Sequence, residues 1–117
     1  MLLRMLLSTF LLAAPAFAAS PQAEGFKKLS GAQIRQAFSG KEFSDEAHFA
    51  YNYRANGVVQ GTSMGKKVTN TWKVVKDQLC VTESSSEEAC YFVWKKGSAV
   101  KLVIGASDDL GLDGFLK

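Results

Sequence analysis

The sequence predicts a mainly β (α+β) fold, in which one N-terminal helix precedes about six antiparallel strands that form a small barrel or a curled sheet. Three observations predict it. The best helix signal lies between residues 29 and 40. After it come runs in which apolar and polar residues alternate, as they do in strands with one buried face. Tight-turn residues separate these runs at short, regular intervals, which is typical of barrels and sandwiches.

The helix signal combines a start, a buried face and a stop. Ser30 is a good N-cap, and Gln33 three residues later completes a capping box. Leu29 and Ile34 have the spacing of a hydrophobic staple, which fixes how the chain enters the helix. Gly40 can adopt the left-handed conformation that ends a helix. These features predict a helix of two to three turns with an apolar stripe to bury.

The strand signals begin where Phe49, Tyr51 and Tyr53 alternate with polar or small residues. Asn56-Gly57 then indicates a tight hairpin turn, because both residues tolerate positive φ. The alternation and the later turns predict six strands, at residues 48–54, 58–64, 68–76, 79–83, 89–95 and 99–104. The apolar residues of the following tail, 105–117, suggest that it docks on the domain.

Two cysteines, Cys80 and Cys90, lie on neighbouring predicted strands. A hairpin centred on Ser85 places them directly opposite each other. Facing residues of antiparallel strands have Cα atoms about 4.5–5.5 Å apart, and a disulfide accepts about 4.4–6.8 Å. An even cysteine count in an exported chain favours one disulfide. Two buried free thiols are the alternative.

The N-terminus predicts export. Residues 1–4 carry one positive charge, residues 5–17 are apolar, and Ala16-Phe17-Ala18 is a small-x-small cleavage signal. We expect a signal peptide at 1–18, cleaved between Ala18 and Ala19, then a flexible arm at 19–28 and a single disulfide-stapled β-rich domain at 29–117. The expected location is periplasmic or secreted. No later apolar run approaches the roughly 20 residues of a transmembrane helix, so no membrane span is expected.

Charge and size limit the partners. Removal of residues 1–18 leaves 99 residues with 13 basic and 11 acidic side chains, a net charge of +2. Nucleic-acid binding needs a concentrated basic face, whereas the lysine pairs here are spread along the chain, so we expect no nucleic-acid partner. A single domain of this size has a modest core. We expect a monomer that binds a protein or a small apolar ligand.

The titratable residues do not assemble a catalytic pattern. His48 lies near Ser44 and Asp45, but no nucleophile motif accompanies them. We expect an ordinary strand histidine, with pH sensing as the alternative. Asp108, Asp109 and Asp113 lie in a glycine-rich segment that suits calcium, but their spacing does not match a calcium loop. The chain is therefore expected not to be an enzyme and to bind no cofactor or metal.

Aromatic residues are the most distinctive feature of the predicted strands. Most of them should build the core, and the rest could form a barrel mouth or an exposed patch that binds an apolar ligand or a partner. The candidate face, together with one lysine at a turn, comprises Tyr51, Tyr53, Trp72, Tyr91, Trp94 and Lys66.

Taken together, the runs LSGAQIRQAFSG, HFAYNYRANG and NTWKVVKDQLCVTESSSEEACYFV resemble a family of small exported proteobacterial proteins with a domain of unknown function. The shared pattern is W-x-V…LC…CY, and it includes Trp72, Cys80 and Cys90. Asn70-Thr71 departs from the pattern, because a glycine is common before the tryptophan. The resemblance implies a periplasmic location and a lipocalin-like β-rich fold, and it implies no catalytic residues.

These observations lead to one expected function and one alternative. The first is a periplasmic, non-enzymatic binding module that recognises a protein or a small apolar ligand through its aromatic face. The alternative is a periplasmic inhibitor of a hydrolase such as lysozyme, since rigid loops bind with little ordering cost. For the inhibitor, the segment Gly61–Lys66 is the candidate insert.

Overall fold

The computed structural model describes residues 20–83, 87–105 and 111–117. The predicted signal peptide, and Asp108 and Asp109 of the glycine-rich segment, lie outside these residues. The elements in chain order are β1 (Lys27–Lys28), α1 (Gly31–Phe38), β2 (Lys41–Ser44), β3 (Phe49–Tyr53), β4 (Val58–Ser63), β5 (Lys66–Val75), β6 (Gln78–Glu83), β7 (Glu88–Lys96), β8 (Ala99–Val103) and β9 (Leu112–Leu116).

Strands β2 to β9 form a closed antiparallel barrel. Each strand pairs with the next along the chain, and the circle closes where β9 pairs with β2. In that closing ladder Phe43 faces Leu116 and Ser44 faces Phe115. An eight-stranded up-and-down barrel is the architecture of lipocalins. The prediction of a mainly β, antiparallel fold with one helix is confirmed for the described residues.

The predicted count of about six strands is wrong, because the described residues form nine. The three additional strands are β1, β2 and β9. Strand β2 has only four residues and begins immediately after the glycine that follows the helix, so it shows little alternation. Strand β9 lies beside a stretch rich in glycine and aspartate, which reads as a loop. Both are held by pairing with residues distant in sequence.

Helix α1 covers one end of the barrel. Its capping box is present as predicted, with the Ser30 side chain accepting from the Gln33 N–H and the Gln33 side chain accepting from the Ser30 N–H. The N–H of Gly31 donates to Oδ1 of Asp77 in the β5–β6 turn at 2.8 Å. Ile34 and Phe38 point into the barrel and are completely buried. The helix thus seals the end at which β5 turns into β6.

The core runs from the helix into the barrel through a chain of aromatic rings. Phe38 makes an edge contact with Tyr53 at 4.9 Å between ring centroids, and Tyr53 makes one with Trp72 at 5.7 Å. Phe43 and Phe49 continue the chain on β2 and β3 at 5.3 Å. Aromatic pairs in such edge geometries stabilise beyond their buried area. The fully buried aliphatic residues around them include Ile34, Val59, Leu79, Val93, Val100 and Leu102.

Residues 20–28, predicted as an arm, make specific contacts with the barrel. Lys27 pairs with Lys95, and Lys28 pairs with Trp94, so β1 forms a ninth strand beside β7. Glu24 forms an ion pair with Lys101 on β8 at 3.2 Å. Within the part of the chain that the structure describes, no helix is long and apolar enough to cross a membrane.

Candidate functional site

The end of the barrel away from α1, which we call the barrel mouth, contains a cavity. Its inner part has a volume of about 60 Å³ and is lined by residues of strands β3 to β9. A wider and more open part of about 390 Å³ lies outside it. Tyr51, Asn70 and Glu83 border both parts. The two parts therefore form one pocket that narrows toward the core.

The inner cavity has an apolar side and a polar side. Val59, Val81, Leu102 and Leu112 supply the apolar wall from four different strands. The polar wall consists of Asn70, Glu83 and three tyrosines, Tyr51, Tyr53 and Tyr91. Asn70 and Glu83 face each other across the β5–β6 ladder. A mostly apolar pocket with a few convergent polar groups is the usual form of a small-molecule site.

Burial raises the pKa of two of the three tyrosines of the mouth. Burial, then the neighbouring Tyr51 and Tyr91, raise the pKa of Tyr53 far above its ordinary value. Burial, then the charge of Glu83 and the neighbouring Tyr51, raise the pKa of Tyr91. The phenols of Tyr53 and Tyr91 are therefore kept neutral at physiological pH, so each can donate a hydrogen bond as well as accept one.

The residues predicted for the aromatic face occupy four different places. Tyr51, Tyr53 and Tyr91 line the inner cavity, and Lys66 lines the open part of the mouth. Trp72 is buried in the core, where its Nε1–H donates to the Arg54 carbonyl at 2.7 Å.

Trp94 does not border this pocket. Its neighbour Val93 is fully buried in the core, so Trp94 lies on the outer face of β7. There it pairs with Lys28 on one side and with Lys101 on the other. The structure therefore does not bring Trp94 together with the tyrosines.

Two polar residues of the cavity were not singled out from the sequence. Glu83 is the last residue of the predicted strand at 79–83, and Asn70 is one member of an alternating strand. The signal that could have found them is the register. Glu83 has the same parity as Val81 on β6, and Asn70 the same parity as Trp72 on β5, which places both on the inner face.

Ser44, Asp45 and His48 form the turn between β2 and β3 and do not resemble a hydrolytic triad. The Ser44 hydroxyl donates to the Phe49 carbonyl and accepts from the Glu46 N–H, both at 2.8 Å. Both hydrogen bonds of this hydroxyl are therefore made within the turn. The ring Nδ1 of His48 lies 2.7 Å from Oδ2 of Asp45. His48 therefore stabilises an exposed turn that precedes β3, whereas the sequence predicted it as part of that strand.

Asp45 organises this turn through its carboxylate. Its Oδ1 accepts from the backbone N–H groups of Ala47, His48 and Phe49 at 2.7–3.0 Å. Desolvation acts to raise the pKa of Asp45, but these backbone bonds and the bond to the His48 side chain outweigh it and hold the pKa well below its ordinary value of 3.8. The ionised carboxylate is thus favoured by the folded state.

Replacement of Asp45 by asparagine is expected to lower the melting temperature at pH 7. Because the pKa is lower in the folded state than in the unfolded state, the stabilisation is fully present above about pH 3.8 and is lost as the pH falls through the folded-state pKa. The difference in melting temperature between D45N and the wild type should therefore shrink below pH 3.8. D113N, which alters a carboxylate that is 75% exposed on β9, is the control and should change the melting temperature at pH 7 less than D45N does. A constant difference at every pH would contradict the assignment.

Three groups that could bind a metal, Cys80, Glu88 and Cys90, come within 4.8 Å of one another among the described residues. Both sulfurs are joined in a disulfide, which confirms the predicted pairing. The two cysteines face each other across the β6–β7 ladder with Cα atoms 4.0 Å apart, somewhat closer than the expected range. Because the thiolate is the form of cysteine that binds metals, the disulfide removes both sulfur ligands.

The barrel mouth thus offers a small pocket with an apolar wall and three tyrosine side chains. Such a pocket can hold a short apolar chain and hydrogen-bond a polar group at its end. The tyrosines and Glu83 are fixed on strands of a closed barrel, so little ordering is needed on binding. Comparison with protein-family models, with curated proteins and with solved structures finds no match to this chain.

Proposed function

We propose that this chain is an exported, non-enzymatic binding protein that holds a small, largely apolar ligand in the barrel mouth. The observation that carries the proposal is the cavity between β3 and β9, whose inner part is walled by aliphatic side chains and tyrosines. Since α1 covers the other end of the barrel, a ligand would enter at the mouth. Barrels of this architecture commonly hold one small ligand in their interior.

Export is part of the proposal and rests on three supports. The leader pattern of residues 1–18 is typical of a secretory signal peptide. The Cys80–Cys90 disulfide fits an oxidising compartment. The family resemblance of the strand sequences points to the periplasm. A secreted location is equally compatible with the leader, and fractionation of the native host cell distinguishes the two.

The test is native mass spectrometry of the protein purified from the compartment to which it is exported. We expect a retained small molecule in addition to the mass of the polypeptide. Val81→Phe should abolish retention, because the larger side chain would fill the inner cavity. Val75→Phe makes the same change at an exposed position of β5 and is the matched control. Retention that is unaffected by V81F would place the ligand elsewhere and contradict the proposal.

A second variant tests the proposal even if V81F does not fold. Tyr51→Phe removes one hydroxyl from the cavity wall and leaves the ring that stacks on Phe49 at 4.9 Å. It should fold normally and retain less ligand. If neither the wild type nor Y51F carries any molecule, and no small molecule raises the melting temperature, the barrel does not act as a ligand carrier.

One observation favours the alternative function, inhibition of a hydrolase. Met64 is 73% exposed at the β4–β5 turn, within the segment predicted as an insert. Its N–H donates to the His48 carbonyl at 2.7 Å, so the turn is tied to the β2–β3 turn. A rigid turn that presents an apolar tip beside Lys66 suits a protein partner. A stoichiometric protein partner that is lost on Lys66→Glu and on Met64→Asp would support this alternative.

A further inference from the structure

We propose that the inner cavity binds the ammonium group of a small organic monoamine, with the tyrosine hydroxyls and the Glu83 carboxylate around the nitrogen. This inference rests on the proposed function and specifies the chemical class of the ligand. Three features of the cavity carry it: the convergence of hydroxyl groups, the sign of the charge on the inner wall, and the sign of the charge at the open part.

The hydroxyl of Tyr53 shows that the cavity floor is polar and accessible. Tyr53 is only 3% exposed. Every side-chain nitrogen or oxygen of the described residues that is sealed from solvent has a hydrogen-bond partner, whereas no described residue bonds the Tyr53 hydroxyl. The hydroxyl therefore keeps contact with the cavity that it lines. A buried polar group in this state favours a ligand that supplies the missing hydrogen bond.

The hydroxyls of Tyr51 and Tyr91 border the same cavity, and they too have no hydrogen-bond partner within the described residues. All three phenols border this one small cavity, so they lie close together. An ammonium group has three N–H donors and no acceptor. Three phenol oxygens can accept these donors, and the faces of aromatic rings also attract a cation.

The charge on the inner wall favours a cation over an anion. Glu83 is the ionisable carboxylate of the cavity wall, and it is close enough to raise the pKa of Tyr91. A bound carboxylate would be repelled by Glu83, whereas a bound ammonium group would be attracted. In a cavity partly shielded from water, either interaction is stronger than at an exposed surface.

The open part of the mouth carries a net positive charge, because two lysines outnumber Glu83, which borders this part as well. Lys66 and Lys67 both line it. A second ammonium group on the ligand would extend into this region and would be repelled. The cavity therefore selects a monoamine over a diamine. The volume of about 60 Å³ suits the amine and a few carbon atoms, which would lie against Val59, Val81 and Leu102.

Four probes of equal chain length test this inference on the mature protein: n-butylammonium chloride, n-butanol, sodium butyrate and 1,4-butanediammonium chloride. Binding is measured by isothermal titration calorimetry and by the shift in melting temperature at constant ionic strength. We expect saturable binding of n-butylammonium and at least about tenfold weaker binding of the other three, because a hydrogen bond to a charged group contributes about 1.5–3 kcal/mol.

Two variants locate the bound amine. Glu83→Gln and Tyr91→Phe should each weaken n-butylammonium binding by about tenfold. Glu88→Gln removes a carboxylate that pairs with Lys73 at 3.1 Å on the outer face, so it should leave binding unchanged. Circular dichroism verifies that each variant is folded. The comparison of the four probes on the wild type stands even if a variant does not fold.

Three outcomes overturn the inference, and together they separate it from the proposed function. Binding of n-butanol or butyrate as tight as that of n-butylammonium would refute the choice of an amine but leave a ligand-binding cavity. Failure of every probe, with a molecule still retained in native mass spectrometry, would do the same. Failure of every probe with no retained molecule would refute both proposals.

Discussion

Replacement of Phe38 by alanine is expected to lower the free energy of unfolding by about 3–5 kcal/mol. Phe38 is completely buried. Its ring contacts Tyr53 at 4.9 Å and Phe43 at 5.9 Å between centroids. Loss of the ring leaves a void between α1 and the barrel that these stiff aromatic neighbours cannot readily fill. A domain of this size has only about 5–15 kcal/mol of stability in total, so the effect is large.

Guanidinium denaturation of the mature protein measures this change, and Phe115→Ala is the matched control. Phe115 lies on β9 and is 45% exposed, so its loss should cost only about 1–1.5 kcal/mol. If F38A does not fold, Phe38→Leu keeps most of the apolar volume and should show an intermediate loss. Equal stability of F38A and F115A would mean that α1 does not seal the barrel.

Phe38 also links the fold to the proposed site. It packs on Tyr53, and the other end of Tyr53 forms the floor of the cavity. The helix therefore holds in place a tyrosine that the mouth uses. F38L should weaken ligand retention more than F115A does, although Phe38 itself does not border the cavity.

The helix and the hairpins were predictable because their signals are local. The capping box of Ser30 and Gln33 lies within four residues, and the Asn56-Gly57 turn within two. The facing positions of Cys80 and Cys90 follow from a single hairpin register. In each case the residues that determine the structure are close in sequence, so pattern alone identifies them.

Closure of the barrel was not predictable in the same way. It depends on the pairing of β2 with β9, where Phe43 faces Leu116 and Ser44 faces Phe115. These partners are more than 70 residues apart in the sequence. Each strand is short, and neither shows a clear alternation by itself. Without β2 and β9, the other strands would leave two sheet edges unpaired, and the pairing of β2 with β9 removes these edges.

The candidate site was predictable in part, for a related reason. Alternation shows that Tyr51 and Tyr53 share one face of β3, and that Tyr91 lies on the opposite face of β7 from Trp94. It does not show which end of the barrel is covered. Once α1 covers one end, Trp72 becomes core, and the tyrosines nearer the other end border a cavity. Glu83 is identified only when its register with Asn70 is known.

The disulfide is expected to have the second large effect on stability, about 3 kcal/mol. It joins residues separated by 10 positions, and the loss of such a closed loop increases the conformational freedom of the unfolded chain. The double variant Cys80→Ala, Cys90→Ala tests this without leaving a reactive thiol. Its unfolding free energy should be lower than that of the oxidised wild type by this amount.

Reduction supplies the control that separates the covalent link from the packing of the side chains. Cys80 is 1% exposed, so its replacement by alanine also removes some buried volume. Dithiothreitol should destabilise the wild type to nearly the level of the double variant, and it should leave the double variant unchanged. If reduction has no effect and the double variant is still destabilised, the cysteines contribute through packing alone. The helix, β2 and β9 would then carry the stability of the barrel without a covalent link between β6 and β7.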